Sequence, residues 1–484
     1  MKINKIYIVA AFTLFLSSAC SEERLIEMPA YETVIDEAIT NESDMRSVLN
    51  GVYNEYSDAS VFGANALIFG DLISDNVFIT NKITDSSFRN TGNLNWSQDI
   101  NDFSMMRGFY RGIALANTVI NNQNLASSPE VNNMKGEAMI ARAVGYYYAV
   151  GYYSPSPALG QNQDFGVPLN LGNYDAGIKL PRASVNEVYD QIIKDLTNGI
   201  NLMTNEQPKN KGFLSPTAAR LLLSRVYLTR GASGDYQKAL DYANTVISSA
   251  GNNSFDFVAN NSTDYISYFS NKNPDFSEDQ PETVWEIVMT SQASENPGVN
   301  ASLSTFYASD GSKKRFLFTQ NFYSLFSTTD IRKGLFNSTS VPTEDNPRGL
   351  WTRKYIRTMD DGNFTQNVKV FRMSEAYLNK IEALFKLGKQ ADALTALNDF
   401  AVNKRKGTAY ASATLENILT ERRKEFFAEG QRYFDLKRNK LGFIRATNCN
   451  SVVCEVPADN KLFVVPMSQS EINVNPNMKQ YPGY

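Results

Sequence analysis

Apolar residues recur at helical spacing through most of the chain after about residue 38, which predicts amphipathic α-helices separated by polar loops. Ser184 and Glu187 have the spacing of a capping box, in which the hydroxyl and the carboxylate each satisfy a free backbone N–H. The helix predicted after this box carries one apolar stripe. The stripe consists of Val188, Ile192, Leu196, Ile200 and Met203.

Two pairs of helices share one pattern, in which a helix ends near a glycine and an alanine-rich helix follows. Ser215 and Pro216 suit the N-cap and the first helical position of the first pair. Gly231 and Gly388 suit the ends of the first helix in each pair. The pairs resemble tetratricopeptide hairpins, which stack side by side, while generic antiparallel helix pairs are the alternative. The helices are expected at 218–230, 236–248, 374–387 and 390–402, with a helix of a further unit at 136–153.

The segment 252–370 departs from this pattern. It is rich in Asn, Ser, Thr, Gly and Pro, and residues 284–289 are its clearest strand candidate. We therefore predict a mainly α-helical protein, in which a tetratricopeptide-like hairpin scaffold carries an irregular, loop-rich ligand-binding subdomain. The predicted regions are a lipoprotein signal peptide at 1–19, an N-terminal helical region at 20–251, the irregular subdomain at 252–370 and a C-terminal helical region at 371–484.

The start of the chain has the pattern of an export signal. Lys2 and Lys5 precede an apolar stretch at 6–16, which is too short to cross a bilayer. Small residues follow, and then Cys20, as in a bacterial lipobox, although Leu16 lies one position further from the cysteine than is usual. We expect Cys20 to carry acyl chains that anchor the protein to a membrane. An ordinary cleaved signal followed by a chance cysteine is the alternative.

Composition narrows the classes of function. Of the 484 residues, 42% are hydrophobic and 20% are charged, which is ordinary for a globular protein. The net charge of -4 argues against nucleic acid as a partner. The chain has no histidine, which excludes histidine-based triads, histidine-ligated zinc and the commonest general base near neutral pH. Catalysis by carboxylates alone remains open.

Two cysteines besides Cys20 lie close together, at Cys449 and Cys454. An exported chain meets an oxidising compartment, which favours a small disulfide loop over a metal site. Two free thiols are the alternative. The sequence predicts no cofactor and no metal site, and no clear acidic loop supports a calcium ion.

Motifs toward the C-terminus identify a family. The run LTERRKEFFAEGQRYFDLKR at 419–438 resembles the signature helix of the SusD/RagB family of lipid-anchored nutrient-binding proteins from Bacteroidetes outer membranes. The stretches 371–378 and 463–472 resemble the preceding helix and the closing motif of that family. The stretches 136–148 and 166–169 resemble its earlier scaffold segments. These motifs occur in the family's order, so the resemblance covers most of the chain.

The resemblance implies a cellular location and a function for the protein. Family members lie on the outer face of the outer membrane, cover a partner SusC-type TonB-dependent barrel like a lid, and help to capture oligosaccharides or, in some members, peptides. Glu22 and Glu23 resemble the acidic export tag of such lipoproteins. A binding role without chemistry is therefore expected. The alternatives from other classes are a carboxylate-based glycosidase, for which no pair of carboxylates stands out, and a helical-repeat adaptor that only assembles proteins.

Glycan binding uses flat aromatic faces together with polar side chains that bond to hydroxyl groups, and aromatic residues make up 12% of the chain. Trp96 lies in a polar stretch, and an aromatic in this region belongs to the sugar platform in some relatives. Trp351 and Tyr307, in the irregular segment, are further stacking candidates, and buried packing is the alternative for all three rings. Asp75 and Asn76, in an upstream loop, are expected to hydrogen-bond to the ligand.

The signature run also has an interpretation from the residues alone. A single helix would place Arg422, Glu425, Glu429 and Arg432 on one face, where they can form a ladder of ion pairs. Gly430 lies on another face and permits close approach of a neighbouring element. The carboxylates of this run are therefore interpreted as part of the scaffold and not as catalytic groups.

Overall fold

The structure is a computed structural model of the chain. It describes residues 38–100, 102–204, 210–251, 255–290, 296–337, 348–358, 364–445, 449, 451 and 453–484. The predicted signal peptide, the predicted lipidation site Cys20 and the acidic pair Glu22 and Glu23 lie outside the described residues. None of the helices in the described ranges combines the length and the apolar composition that a bilayer-crossing segment requires.

Helices dominate the described chain, as the apolar periodicity predicts. They are α1 (Glu42–Ser57), α2 (Asn65–Leu72), α3 (Arg89–Gly92), α4 (Met105–Asn121), α5 (Pro129–Tyr153), α6 (Val185–Leu202), α7 (Pro216–Arg230), α8 (Asp235–Ser248), α9 (Ser262–Ser270), α10 (Leu303–Tyr307), α11 (Gln320–Tyr323), α12 (Met373–Lys386), α13 (Gln390–Asn398), α14 (Leu415–Glu425), α15 (Gln431–Arg438) and α16 (Gln469–Val474).

The strands form antiparallel pairs instead of one large sheet. They are β1 (Val77–Ile79), β2 (Thr283–Ile287), β3 (Phe316–Phe318), β4 (Phe336–Asn337), β5 (Trp351–Thr352), β6 (Val368–Arg372), β7 (Phe443–Ile444) and β8 (Glu455–Val456). β1 pairs with β3, β2 with β6, β4 with β5, and β7 with β8. β2 confirms the predicted strand, and its partner β6 leads directly into α12.

The longer helices pack in one continuous array, in the order α1, α4, α5, α6, α7, α8, α12 and α13. The two predicted hairpins are α7–α8 and α12–α13. They stack through the contact of α8 with α12, although the irregular segment separates them in sequence. This arrangement confirms the mainly α-helical, tetratricopeptide-like fold class.

Helix ends lie close to where local sequence marks them. Ser184 accepts a hydrogen bond from the N–H of Glu187, whose carboxylate accepts one from the N–H of Ser184, so the capping box is complete. Ser215 caps α7, and Gly231 ends it with a φ of 62°, a left-handed conformation that glycine adopts without a Cβ clash. The last predicted helix differs, because α13 ends at Asn398 and the chain continues as a π-helix.

The signature run forms two helices, not the single helix predicted. α14 ends at Glu425, and the chain turns through Ala428 and Gly430, whose φ values are 60° and 70°. The turn packs directly on α2, since a Cβ at position 430 would lie 2.8 Å from the Cα atom of Leu67. Glycine is therefore needed here for both conformation and space.

The predicted ion-pair ladder is wrong, because the turn separates its members. Glu425 is fully buried and accepts hydrogen bonds from Arg372, Arg405 and Arg332. Although burial opposes the charge, Arg405 and Arg372 hold the pKa of Glu425 well below its usual range. These partners make the carboxylate part of the scaffold. The other members pair as Glu429 with Lys354, Arg422 with Asp435, and Arg432 with Asp75.

Buried apolar side chains from all three predicted regions of the mature chain belong to one continuous core, with a small second cluster at Phe78, Leu317 and Trp351. β6 crosses the predicted boundary at residue 370, and the division into regions stays a prediction. A disulfide joins Cys449 to Cys454 beside the β7–β8 pair.

Candidate functional site

Asp75 and Asn76 lie just before β1 and contact two arginines of the scaffold. The carboxylate of Asp75 accepts hydrogen bonds from Arg432 at 2.9 and 3.0 Å and pairs with Arg423 at 3.3 Å. Burial opposes the charge, but Arg423 and Arg432 lower the pKa of Asp75 to about 2. Asn76 accepts a hydrogen bond from Arg423 through Oδ1. These oxygens therefore hold β1 to the signature helices and are not turned toward an open groove.

Trp96 packs against the end of the chain. Its indole N–H donates to the hydroxyl of Tyr484 at 2.9 Å, and its ring meets Phe103 edge-on at a centroid distance of 5.3 Å. Only 6% of Trp96 is exposed. In this position the ring holds its loop to the C-terminal segment and offers no open face to a sugar.

Tyr307 and Trp351 lie deeper in the protein. Tyr307 is fully buried and donates its hydroxyl proton to Asp71 at 2.7 Å. Trp351 is 1% exposed and packs with Phe78 and Leu317. Large aromatic rings contribute most to stability when they are buried away from water. Both of these rings are buried. Their placement gives no support to an aromatic platform built from these residues.

An open groove of about 320 Å³ lies where α1 meets the end of β2. α1 contributes Asn50, Tyr53, Asn54 and Ser57, whose spacing places them on one face of the helix. The opposite wall comes from the turn before α7 and from the chain after β2. That wall includes Asn210, Gly212, Phe213, Val288 and Asn296. We call this feature the neutral groove.

Tyr53 and Phe213 form an aromatic wall of the neutral groove. Their ring centroids are 5.7 Å apart and the rings are nearly perpendicular. The hydroxyl of Tyr53 donates to Glu137 and accepts the N–H of Leu214 at 2.9 Å, and Glu137 pairs with Arg46 at 3.0 Å. Burial raises the pKa of Tyr53 well above its ordinary value, so the phenol stays neutral. The network fixes the ring before any ligand arrives.

Asparagine side chains supply the polar part of the neutral groove. Asn296 donates to the hydroxyl of Ser57 at 2.7 Å, and Asn210 accepts a backbone N–H of its own turn. Within the described residues, the side chains of Asn50 and Asn54 make no hydrogen bond. Each of these two amides can still donate and accept, which is the capacity needed to bind a hydroxyl group.

No charged side chain is among the described residues that line this groove. The combination of free amides with an aromatic and aliphatic wall suits a neutral ligand that has many hydroxyl groups and an apolar face. The described lining residues do not include the two opposed carboxyl groups that glycosidases ordinarily use.

Sequence reasoning did not select these residues. The positions of Asn50, Tyr53 and Asn54 carried a usable signal, because residues three and four apart share a helix face. The other wall carried no such signal. Phe213 and Val288 are distant in sequence and meet only because β2 packs beside α7.

The fold is a helical-repeat scaffold, and the described residues of this groove make it a candidate site for a neutral ligand. Residues 327–484 match the family model described as "SusD family", and residues 26–228 match the model described as "Starch-binding associating with outer membrane". Together with the similar proteins described next, these matches show that the chain belongs to the SusD/RagB family.

Similar proteins extend the match over most of the chain. The SusD-like protein P2 of Formosa agariphila is 30% identical over 254 residues, which cover 51% of this chain and 46% of that protein. A SusD-like protein of Bacteroides ovatus is 23% identical over 477 residues, which cover 89% of this chain and 81% of that protein. The solved structure of a putative sugar binding protein from Bacteroides vulgatus superposes with a TM-score of 0.81 at 27% identity, covering 94% of this chain and all of that one. The match thus spans less than half of the first relative but the whole of the solved structure.

Proposed function

We propose that this protein is a cell-surface lipoprotein that binds an oligosaccharide and delivers it to a SusC-type TonB-dependent transporter of the outer membrane, without catalysing a reaction. Membership of the SusD/RagB family supports this role, as do relatives whose descriptions mention starch or sugar binding. The observation that carries the proposal is the neutral groove, in which two side-chain amides without a hydrogen-bond partner among the described residues lie beside a fixed aromatic wall.

In this proposal, a sugar ring packs its C–H face against Phe213, which is half-buried, and against Val288, which is 44% exposed. Asn50 and Asn54 exchange hydrogen bonds with the sugar hydroxyl groups. Tyr53 limits the depth of the groove, since its hydroxyl is already bonded to protein. A ligand without charge suits these contacts because none of the described residues that line the groove is charged.

Calorimetric titration of the purified mature protein with a panel of neutral oligosaccharides, acidic oligosaccharides and short peptides tests the binding site. Phe213→Ala and Asn54→Ala are each expected to weaken binding of the cognate glycan at least tenfold, which is about 1.4 kcal/mol. The matched control is Asn198→Ala, because Asn198 is an exposed asparagine of α6 outside the groove. Melting curves verify that all variants fold. Undiminished affinity in both groove variants would move the site away from this groove, and binding of peptides alone would favour the peptide-binding alternative.

Catalysis is tested on the same ligand. Incubation of the protein with its bound glycan should release no new reducing ends, because the described lining of the groove lacks a carboxylate pair. Reducing ends that increase in proportion to the amount of protein would refute the non-catalytic part of the proposal.

Anchoring and delivery are tested in cells. Cys20→Ser should abolish labelling by radioactive palmitate and release the protein from the membrane fraction, whereas Cys454→Ser should leave it anchored. Protease added to intact cells should cleave the anchored protein if it faces outward. Mild detergent should co-extract it with an outer-membrane barrel. Extraction without any barrel partner would contradict the delivery role while leaving glycan binding intact.

A further inference from the structure

A second groove, of about 190 Å³, lies between α4, the loop at 168–180 and the segment around α16. Its lining has no residue in common with that of the neutral groove. Met106 and Met478 are among its apolar lining residues. Tyr110 donates its hydroxyl proton to the carbonyl of Pro168, which ties the loop to α4. We call this feature the charged groove.

Two groups of opposite charge line the charged groove, Arg107 on α4 and Glu471 on α16. In the part of the chain that the structure describes, neither side chain forms a hydrogen bond or an ion pair, with the other or with any neighbour. The groove is held open by a fixed frame, because Asn475 donates to the carbonyl of Leu180 at 2.9 Å. Two opposite charges in one groove are thus both left without a protein partner.

The size of the charged groove and the chemistry of its lining limit the class of ligand that it can bind. The charged groove, at about 190 Å³, is smaller than the neutral groove, at about 320 Å³, and it has room for one small molecule. Methionine walls adapt to aliphatic groups of different shape. A guanidinium group matches a carboxylate with two parallel hydrogen bonds, and a carboxylate accepts the protons of an ammonium group. A neutral sugar would satisfy neither charge.

We propose that the charged groove binds a small zwitterion, a free α-amino acid with an apolar side chain. Its carboxylate binds Arg107, its ammonium group binds Glu471, and its side chain lies between Met106 and Met478. This assignment goes beyond glycan binding, because it rests on different residues and on the opposite ligand chemistry.

Calorimetric titration of the mature protein with leucine tests the assignment. Leucine should bind, whereas leucinamide, which lacks the carboxylate, and N-acetylleucine, which lacks the ammonium group, should bind at least tenfold more weakly. Arg107→Gln and Glu471→Gln should each weaken leucine binding at least tenfold. Arg111→Gln is the matched control, because Arg111 lies one turn further along α4 and pairs with Glu55 instead.

The absence of leucine binding would overturn the proposal. So would leucine binding that neither variant changes, or equal affinities for leucine and leucinamide. Melting curves identify any variant that fails to fold, and the two analogues then decide the question on the unaltered protein. Glycan binding should be the same in the wild type and in both variants, so failure here is distinguishable from failure of the neutral groove.

Discussion

Glu425→Gln is expected to lower the free energy of unfolding by about 3–5 kcal/mol. The carboxylate of Glu425 is fully buried and accepts hydrogen bonds from Arg372 at 2.8 Å, from Tyr265 at 3.2 Å and from Arg405 at 2.9 Å on each oxygen. Glutamine keeps the shape of the side chain but replaces one acceptor oxygen with an N–H donor. That donor would face arginine N–H groups, and the buried arginines would lose a negative charge.

The size of the loss depends on which hydrogen-bond acceptors the buried arginines keep when Glu425 is replaced. Arg372 and Arg405 are almost fully buried, so neither can turn to water. Glu282 still accepts a hydrogen bond from each of them, at 2.9 and 2.6 Å. Glu429 also accepts two hydrogen bonds from Arg372, at 2.8 and 2.9 Å. These remaining carboxylates keep the loss in the range measured for broken buried pairs. The loss is a large share of the ~5–15 kcal/mol by which proteins are ordinarily stable.

Urea denaturation followed by tryptophan fluorescence measures the loss, and Trp285, which is buried in β2, reports on the core. Glu416→Gln is the control, because Glu416 is exposed on the same helix and should change stability by no more than ~0.5 kcal/mol. A loss below about 1 kcal/mol for Glu425→Gln would refute the reasoning about the buried network. A stable variant that no longer binds glycan would instead give this carboxylate a role in the site.

Three further predictions concern a buried carboxyl group, a helix cap and the disulfide. Burial raises the pKa of Asp71 to about 7 from 3.8. The folded state therefore holds the proton more tightly than the unfolded state, and stability falls as the pH rises from about 4 to about 7, by up to ~4 kcal/mol. Asp71→Asn should reduce the difference between the unfolding free energies measured by denaturation at pH 5 and at pH 8. An unchanged difference would contradict the assignment of this pH dependence to Asp71. Ser184→Ala should cost about 1 kcal/mol in unfolding free energy, since it removes the N-cap of α6; no loss would mean that the cap is dispensable. Reduction of the Cys449–Cys454 disulfide should cost no more than ~2 kcal/mol because the closed loop is short, and a larger drop in the urea midpoint would show that the loop supports the core.

Local physics made much of the fold predictable. An N-cap acts within its own turn, so Ser184 and Ser215 mark helix starts that the structure confirms. The helical period of apolar residues identified α6, α7, α8 and α12, because burial on one face requires that period. The motifs at 371–378, 419–438 and 463–472 identified the family without any structure.

The failures arose where distant segments decide the outcome. The turn at Gly430 is needed because α2 packs against it, and no local pattern around the signature run contains α2. Trp351 and Tyr307 were stacking candidates in the irregular segment, with buried packing as the alternative, and elements remote in sequence cover both of them. Phe213 stands out as a wall of the neutral groove only once Tyr53 is seen beside it.

The sequence by itself determined the helical scaffold, the family and the export pattern, because caps, apolar periods and motifs act over short stretches of chain. The tertiary structure alone decided which side chains keep unused hydrogen-bonding capacity. Asn54 and Glu471 look like many other polar residues until the structure shows that no group in the described part of the chain forms a hydrogen bond or an ion pair with their side chains. A binding site consists of such unsatisfied groups, and whether a group is satisfied depends on neighbours that only folding brings together.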